Sequence, residues 1–245
     1  VDATVVSESD DPLDGVVDAK VDVPLPLALF QFADPLQVRT YTWPDEQELT
    51  YAVKNDGETV GETTLTRTYP DYDEYVEPDH SELEGALFEP SDAETGPGVL
   101  VLHGGGGEPS LREAAVLAER GYTAFALHYF SGDGLPDNAS ELPLEYVRDA
   151  ATWLCDRELT AGDRVGLIGS SLGGQLALLA GSEFDVSGPV VSINGSGVVS
   201  EGFTGDNYPT GTSTWTLDGE PVPYLNSELW YDGPDAAGED EVEAA

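Results

Sequence analysis

Ser171 lies in Gly-Ser-Ser-Leu-Gly, residues 169–173, directly after the apolar run 164–168 and directly before the apolar run 174–180. A serine hydroxyl at a sharp strand-to-helix turn is lifted clear of the sheet edge and can attack an acyl carbonyl carbon, provided a base takes its proton. The glycine spacing makes Ser171, rather than its neighbour Ser170, the residue at the turn. Attack builds negative charge on the carbonyl oxygen, so two N–H donors must already point at it. The N–H of Leu172, next after the nucleophile, is one candidate. Residues 99–107, Val-Leu-Val-Leu-His-Gly-Gly-Gly-Gly, put a glycine-rich turn after an earlier strand, and Gly105 or Gly106 is the other. A phosphate cradle built on the same glycines would need a following Lys and Ser or Thr, which are absent. The alternative for Ser171 is an inert helix cap.

The base is the gap in this pattern. The histidines are His80, His103 and His128, and all precede Ser171, whereas such a turn ordinarily finds its partners downstream in the order Ser, Asp or Glu, His. His103 ends a strand beside the glycine turn and suits orienting that loop. His128 is a strand-end residue likewise, and His80 sits in an acidic loop. Cys155 is alone, so neither a disulfide nor a cysteine metal cluster is available, and it reads as a small buried hydrophobe. No metal and no cofactor is expected.

Several elements must position these residues. Residues 98–103, 123–128, 164–169 and 189–193 are apolar strands, alternating with helices over 111–120, 144–157 and 172–180. Near-continuous apolar strands alternating with helices predict a parallel sheet covered on both faces. The first part of the chain differs. Residues 48–53 alternate, 55–57 carry turn chemistry and 63–69 are rich in β-branched residues, which predicts an antiparallel hairpin, with 83–88 as a further short strand. The expected division is a partial β-sandwich-like domain over 1–90 and an α/β domain over 91–245, joined near the turn-forming stretch 89–97. Residues 197–245 show no regular period and read as a cap over a site or an excursion whose returning strand is missing.

Composition narrows the partners. The 245 residues hold 9 Lys and Arg against 48 Asp and Glu, a net charge of −39. Nucleic acid and anionic membranes are excluded as partners, because both require basic patches. Lys20 and Lys54 are the only lysines, and the acids accompany an ordinary share of Val, Leu, Tyr and Trp, which points to a folded protein from a salt-rich cell rather than a disordered one. No apolar run approaches the roughly 20 residues of a membrane span, and the acidic start lacks the basic and apolar regions of a signal peptide, so a cytoplasmic location is expected. There is no methionine, even at position 1, which suggests an internal piece of a longer protein.

Taken with these motifs, the chain resembles the family of acyl-CoA thioester hydrolases and bile acid-CoA:amino acid N-acyltransferases. The similarity runs through PGVLVLHGGGG at 97–107, LAERGYTAFALHYF at 117–130, GLP at 134–136, PLEYV at 143–147, DRVGLIGSSLGGQLALL at 163–179, VSINGSG at 191–197 and DGEPVPYL at 218–225. TYAVKNDGETVGETTLTRTY at 50–69, followed by ELEGALFEP at 82–90, looks like the end of that family's N-terminal β-sandwich and its passage into the hydrolase domain. The resemblance implies an α/β-hydrolase-type, mostly parallel sheet, with Ser171 attacking the thioester of an acyl-CoA and CoA leaving as a thiol. It also implies that the catalytic Asp and His lie beyond Ala245, and that the chain is truncated at both ends. A hydrolase passes the acyl group to water, an N-acyltransferase to an amino acid. In the acyltransferase branch the nucleophile is typically cysteine, so serine tilts the expectation toward hydrolysis. A carboxylester or dienelactone-type hydrolase and a non-catalytic relative that binds acyl ligands remain alternatives. Acyl chain length and oligomeric state are not expressed in these residues.

Overall fold

Most strands of the sheet that carries the serine send alternate side chains into two separate cores, the consequence of the two-residue period of a β-strand. The computed structural model describes residues 3–6, 17–19, 46–55, 58–68, 70–80, 82–90, 94–206 and 208–226. They divide into two compact units, Val1–Tyr69 and Pro70–Ala245.

The first unit contains β1 (Ala3–Val6), β2 (Val17–Ala19), β3 (Glu46–Asn55) and β4 (Glu58–Thr68), paired antiparallel in the order β2-β1-β3-β4. The expected hairpin is β3 and β4, registered from Glu46 opposite Thr68 to Asn55 opposite Glu58. Asp56 and Gly57 of its turn lie outside the described residues.

The second unit is built on β5 (Glu84–Phe88), β6 (Gly96–Leu102), β7 (Thr123–His128), β9 (Thr160–Ser170) and β10 (Ser187–Ile193), in the order β10-β9-β6-β7-β5. The neighbours among β10, β9, β6 and β7 run parallel, and β5 joins β7 antiparallel. This corrects one expectation. Residues 84–88 belong to the edge of the α/β sheet, because Glu84 to Phe88 register against His128 to Ala124, and the unit boundary falls after Tyr69 rather than near 90.

Leu100, Leu102, Phe125 and Leu127 point to one face of the sheet, and Val101, Ala124 and Ala126 to the other. Helix α1 (Leu111–Ala118) covers the second face with Ala114, Ala115 and Ala118, small side chains that allow close approach. Helices α2 (Glu145–Cys155) and α3 (Leu172–Glu183) share the first face, where Val147, Leu154, Leu172 and Leu176 meet the strand residues. Helix α3 buries Leu172, Gln175, Leu176, Ala177 and Ala180, while Leu178, Ser182 and Glu183 are exposed.

The stretch after β10, expected to lack regular structure, contains β11 (Glu201–Phe203), β12 (Pro209–Ser213), β13 (Trp215–Leu217) and β14 (Glu220–Pro221). The β13–β14 hairpin turns through Asp218 and Gly219, both at positive φ (52° and 80°), the geometry a two-residue hairpin loop requires. β13 pairs in parallel with β8 (Leu142–Pro143), placing Trp215 opposite Leu142. Among the described residues no helix is long and apolar enough to cross a membrane.

Candidate active site

β9 ends at Ser170 and α3 begins at Leu172, so the whole change of direction falls on Ser171, which has φ 55° and ψ −116°. A non-glycine residue at positive φ is costly and persists only where its surroundings over-determine it. Here the Ser171 N–H donates to the Ile193 carbonyl at 2.9 Å, and the Ser171 carbonyl accepts from the Gln175 N–H at 3.1 Å. The two glycines of the motif make the turn possible. A Cβ on Gly169 would collide with the backbone of Gly173, and one on Gly173 with the carbonyls of Leu102 and His103. The motif therefore records three backbones packed against each other. The Ser171 side chain is exposed and makes no capping hydrogen bond to its helix, so it is available to a reactant, and the inert-cap alternative lacks the bond that would define it.

The glycine turn meets the elbow directly. A Cβ placed on Gly104 would lie 3.7 Å from the Ser171 Cβ and 3.4 Å from the Ser170 carbonyl. Gly107 (φ 81°) closes the turn by donating to the Gly104 carbonyl at 3.3 Å. Among the described residues, Gly105 and Gly106 donate to no backbone carbonyl, and Leu172, first residue of α3, has no intrahelical acceptor. Gly105 lies under the Phe203 ring, whereas Gly106 faces open space.

Each histidine is engaged elsewhere. His103 is 1% exposed; its Nδ1–H donates to the Gly104 carbonyl at 2.9 Å, and its ring stacks on Tyr129 with centroids 4.0 Å apart. Desolvation lowers its pKa from 6.5 to about 4, opposed by the Gly104 hydrogen bond and assisted by nearby His128. It is therefore a neutral side chain that holds the glycine turn. His128 Nε2 bonds the Gly107 carbonyl at 2.8 Å and fixes the far end of the same turn. His80 Nδ1 accepts the Glu82 N–H at 3.3 Å. Cys155 is half-buried, and burial together with Asp156 and Asp163 raises its pKa, which disfavours a reactive thiolate.

Three residues of this site escaped the sequence reading. Gln175, 3% exposed on α3, donates to the Val198 carbonyl at 2.7 Å and accepts the Trp215 indole N–H at 2.7 Å. A glutamine inside the apolar run 172–180 was a signal, since a buried amide requires partners. Tyr129 donates its hydroxyl to the His103 carbonyl at 2.5 Å, and burial raises its pKa. A cavity of about 350 Å³ is bounded by Tyr129, Leu176 and Trp215. A larger one of about 630 Å³, around Tyr75 and Phe88, contains none of the site residues.

Part of this assembly is shared with known proteins. Residues 142–208 match the family model "BAAT / Acyl-CoA thioester hydrolase C terminal". The chain is 35% identical over 114 residues to human acyl-coenzyme A thioesterase 1, covering 46% of this chain and 27% of that protein. It is 32% identical over 132 residues to mouse bile acid-CoA:amino acid N-acyltransferase, covering 53% and 31%. The matched part thus spans about a quarter to a third of the length of these curated relatives. Among solved structures, an α/β hydrolase from Penicillium sp. sh18, GrgF, aligns at 18% identity and TM-score 0.40, covering 64% of this chain and 47% of that one. The sheet that carries Ser171 is mostly parallel, as expected, with β5 antiparallel at its edge.

Proposed function

We propose that this protein is a serine-dependent acyl-CoA thioester hydrolase working through an acyl-enzyme intermediate. The observation that carries this reading is the exposed Ser171, held at φ 55° between β9 and α3 with the Gly104–Gly107 turn packed against it, in a chain similar to acyl-CoA thioesterases. The Ser171 oxygen attacks the thioester carbonyl carbon, and the N–H groups of Leu172 and of Gly105 or Gly106 hold the resulting oxyanion. The C–S bond then breaks, CoA leaves as the protonated thiol, and water releases the acyl group as a carboxylate. The proton relay requires a base, and His80, His103 and His128 are engaged in loop hydrogen bonds. The reading assigns the role of base to none of these three histidines.

The test uses the full-length protein in molar salt, with acyl-CoA substrates and thiol release as the readout. Ser171→Ala should lower turnover by roughly 10³-fold or more. Absence of any Ser171-dependent CoA release defeats the proposal. The similarity to an N-acyltransferase supports a second reading, in which an amino acid replaces water as acceptor. Mass spectrometry of the products with and without glycine or taurine separates the two.

A further inference from the structure

We infer that Phe203 is a positioning residue: its ring holds the middle of the Gly104–Gly107 turn in place and so keeps the oxyanion donor of that turn aimed at the carbonyl that Ser171 attacks. This deepens the hydrolase reading above and rests on it. The two ends of the turn are fixed by hydrogen bonds. The Gly104 carbonyl accepts from His103 and from the Gly107 N–H, and the Gly107 carbonyl bonds His128. The middle has no such tie, since among the described residues Gly105 and Gly106 take part in no backbone hydrogen bond. What meets Gly105 is the Phe203 ring, whose Cζ and Cε2 would lie 3.0 and 3.6 Å from a Cβ at that position, whereas nothing lies within 4 Å of one at Gly106.

The ring has fixed backing. The Phe203 N–H donates to the Ala139 carbonyl at 2.9 Å, the Phe203 carbonyl accepts from the Ala139 N–H at 3.0 Å, and Ala139 is buried. On its other side Phe203 pairs with Pro209 of β12. The preceding Gly202 is hemmed in, because a Cβ there would meet the Ser140 and Thr210 hydroxyls and the Ala139 carbonyl, and those two hydroxyls are bonded to each other at 2.9 Å. The strand that carries Phe203 therefore cannot retreat from the turn, and the half-buried ring itself packs against the core of the first face. Two adjacent glycines have the most conformational freedom to lose, so a turn tethered at its ends alone pivots about them. A ring pressed on the middle restricts that motion without accepting a hydrogen bond. The donors stay open to an oxyanion, in the orientation they need before charge develops.

The full-length protein is to be compared in molar salt with Phe203→Ala, Phe203→Leu, Gly105→Ala and the double variant Gly105→Ala/Phe203→Leu, using the acyl-CoA that the parent turns over fastest. Phe203→Ala should lower kcat by about 10- to 100-fold, less than deleting an oxyanion donor outright, with KM within about twofold because the donor acts only as charge develops. Phe203→Leu should recover most of that loss. The methyl of Gly105→Ala meets the ring and should lower kcat as well, and the double variant, with room made for it, should exceed Gly105→Ala alone. A second readout needs no turnover: ¹⁵N relaxation of Gly105 and Gly106 should give order parameters near the rigid ~0.85 in the parent and below about 0.6 in Phe203→Ala. Unchanged order parameters, or an unchanged Ser171-dependent kcat, in Phe203→Ala overturns the inference. So does a fall in kcat that follows melting temperature through both Phe203 variants while the turn stays rigid. Should Phe203→Ala fail to fold, the Gly105 and Phe203→Leu cycle decides, and strictly additive losses overturn the inference. A turn that loosens in Phe203→Ala, in a protein whose parent shows no Ser171-dependent CoA release, overturns the hydrolase reading and leaves the hold of Phe203 on the turn standing.

Discussion

The indole N–H of Trp215 donates to the side-chain oxygen of Gln175 at 2.7 Å, and both residues are buried. That bond joins the helix that follows Ser171 to a strand forty residues later. The same glutamine also binds the Val198 carbonyl, so one amide side chain fastens both ends of the segment over α3.

Gln175→Leu should therefore cost about 1–3 kcal/mol, because it strands the Trp215 N–H in the interior. The double variant Gln175→Leu with Trp215→Phe removes that donor as well and should be less destabilised than the sum of the two single changes. Urea unfolding of the four proteins in a double-mutant cycle measures the coupling, and strict additivity would show that the bond contributes nothing.

Gly173→Ala and Gly106→Ala should behave oppositely. At Gly173 the new methyl meets the carbonyls of Leu102 and His103, backbone atoms that cannot step aside, so a loss of about 1–3 kcal/mol or failure to fold is expected. At Gly106 nothing lies within 4 Å, and stability should stay within about 0.5 kcal/mol of the parent. Thermal unfolding of the two variants tests the contrast.

His103 makes stability pH-dependent in a defined direction. Its folded pKa of about 4 lies below the ordinary 6.5, so between these values the unfolded chain binds more protons than the folded one. The stabilisation is complete above pH 6.5 and is lost as pH falls from 6.5 to 4, amounting to roughly 3 kcal/mol. His103→Asn keeps a donor for the Gly104 carbonyl without a titrating ring. The stability difference between parent and variant should shift over that window, and equal pH slopes would contradict the assignment.

With a net charge of −39, removal of salt should loosen the protein. At 1 M salt the Debye length is about 3 Å and the repulsion is screened, whereas at 0.01 M it is about 30 Å. Circular dichroism on dilution out of molar salt should show loss of structure that returns when salt is restored. For the same reason KM for an anionic CoA thioester should fall as salt is raised. Full structure and a constant KM at low salt would refute the charge argument.

The alternation of strands and helices, the elbow at Ser171 and the glycine turn at 104–107 could all be read from the residues alone. Each depends on local periodicity or on a glycine at a fixed spacing, so each is written in neighbouring letters. The hairpin of β3 and β4 was readable for the same reason. The roles of the other residues arise between positions far apart in the chain. That β5 pairs with β7 instead of joining the first unit follows from a register forty residues long, and nothing within 84–88 records it. His103 looks like any strand-end histidine until burial against Tyr129 makes it neutral. Gln175 and Trp215 become a tether only because the later segment folds back over α3, where a buried amide and a buried indole must satisfy each other. Residue type and spacing determined the candidate nucleophile and its oxyanion donors. Long-range burial decided which polar groups hold that geometry in place.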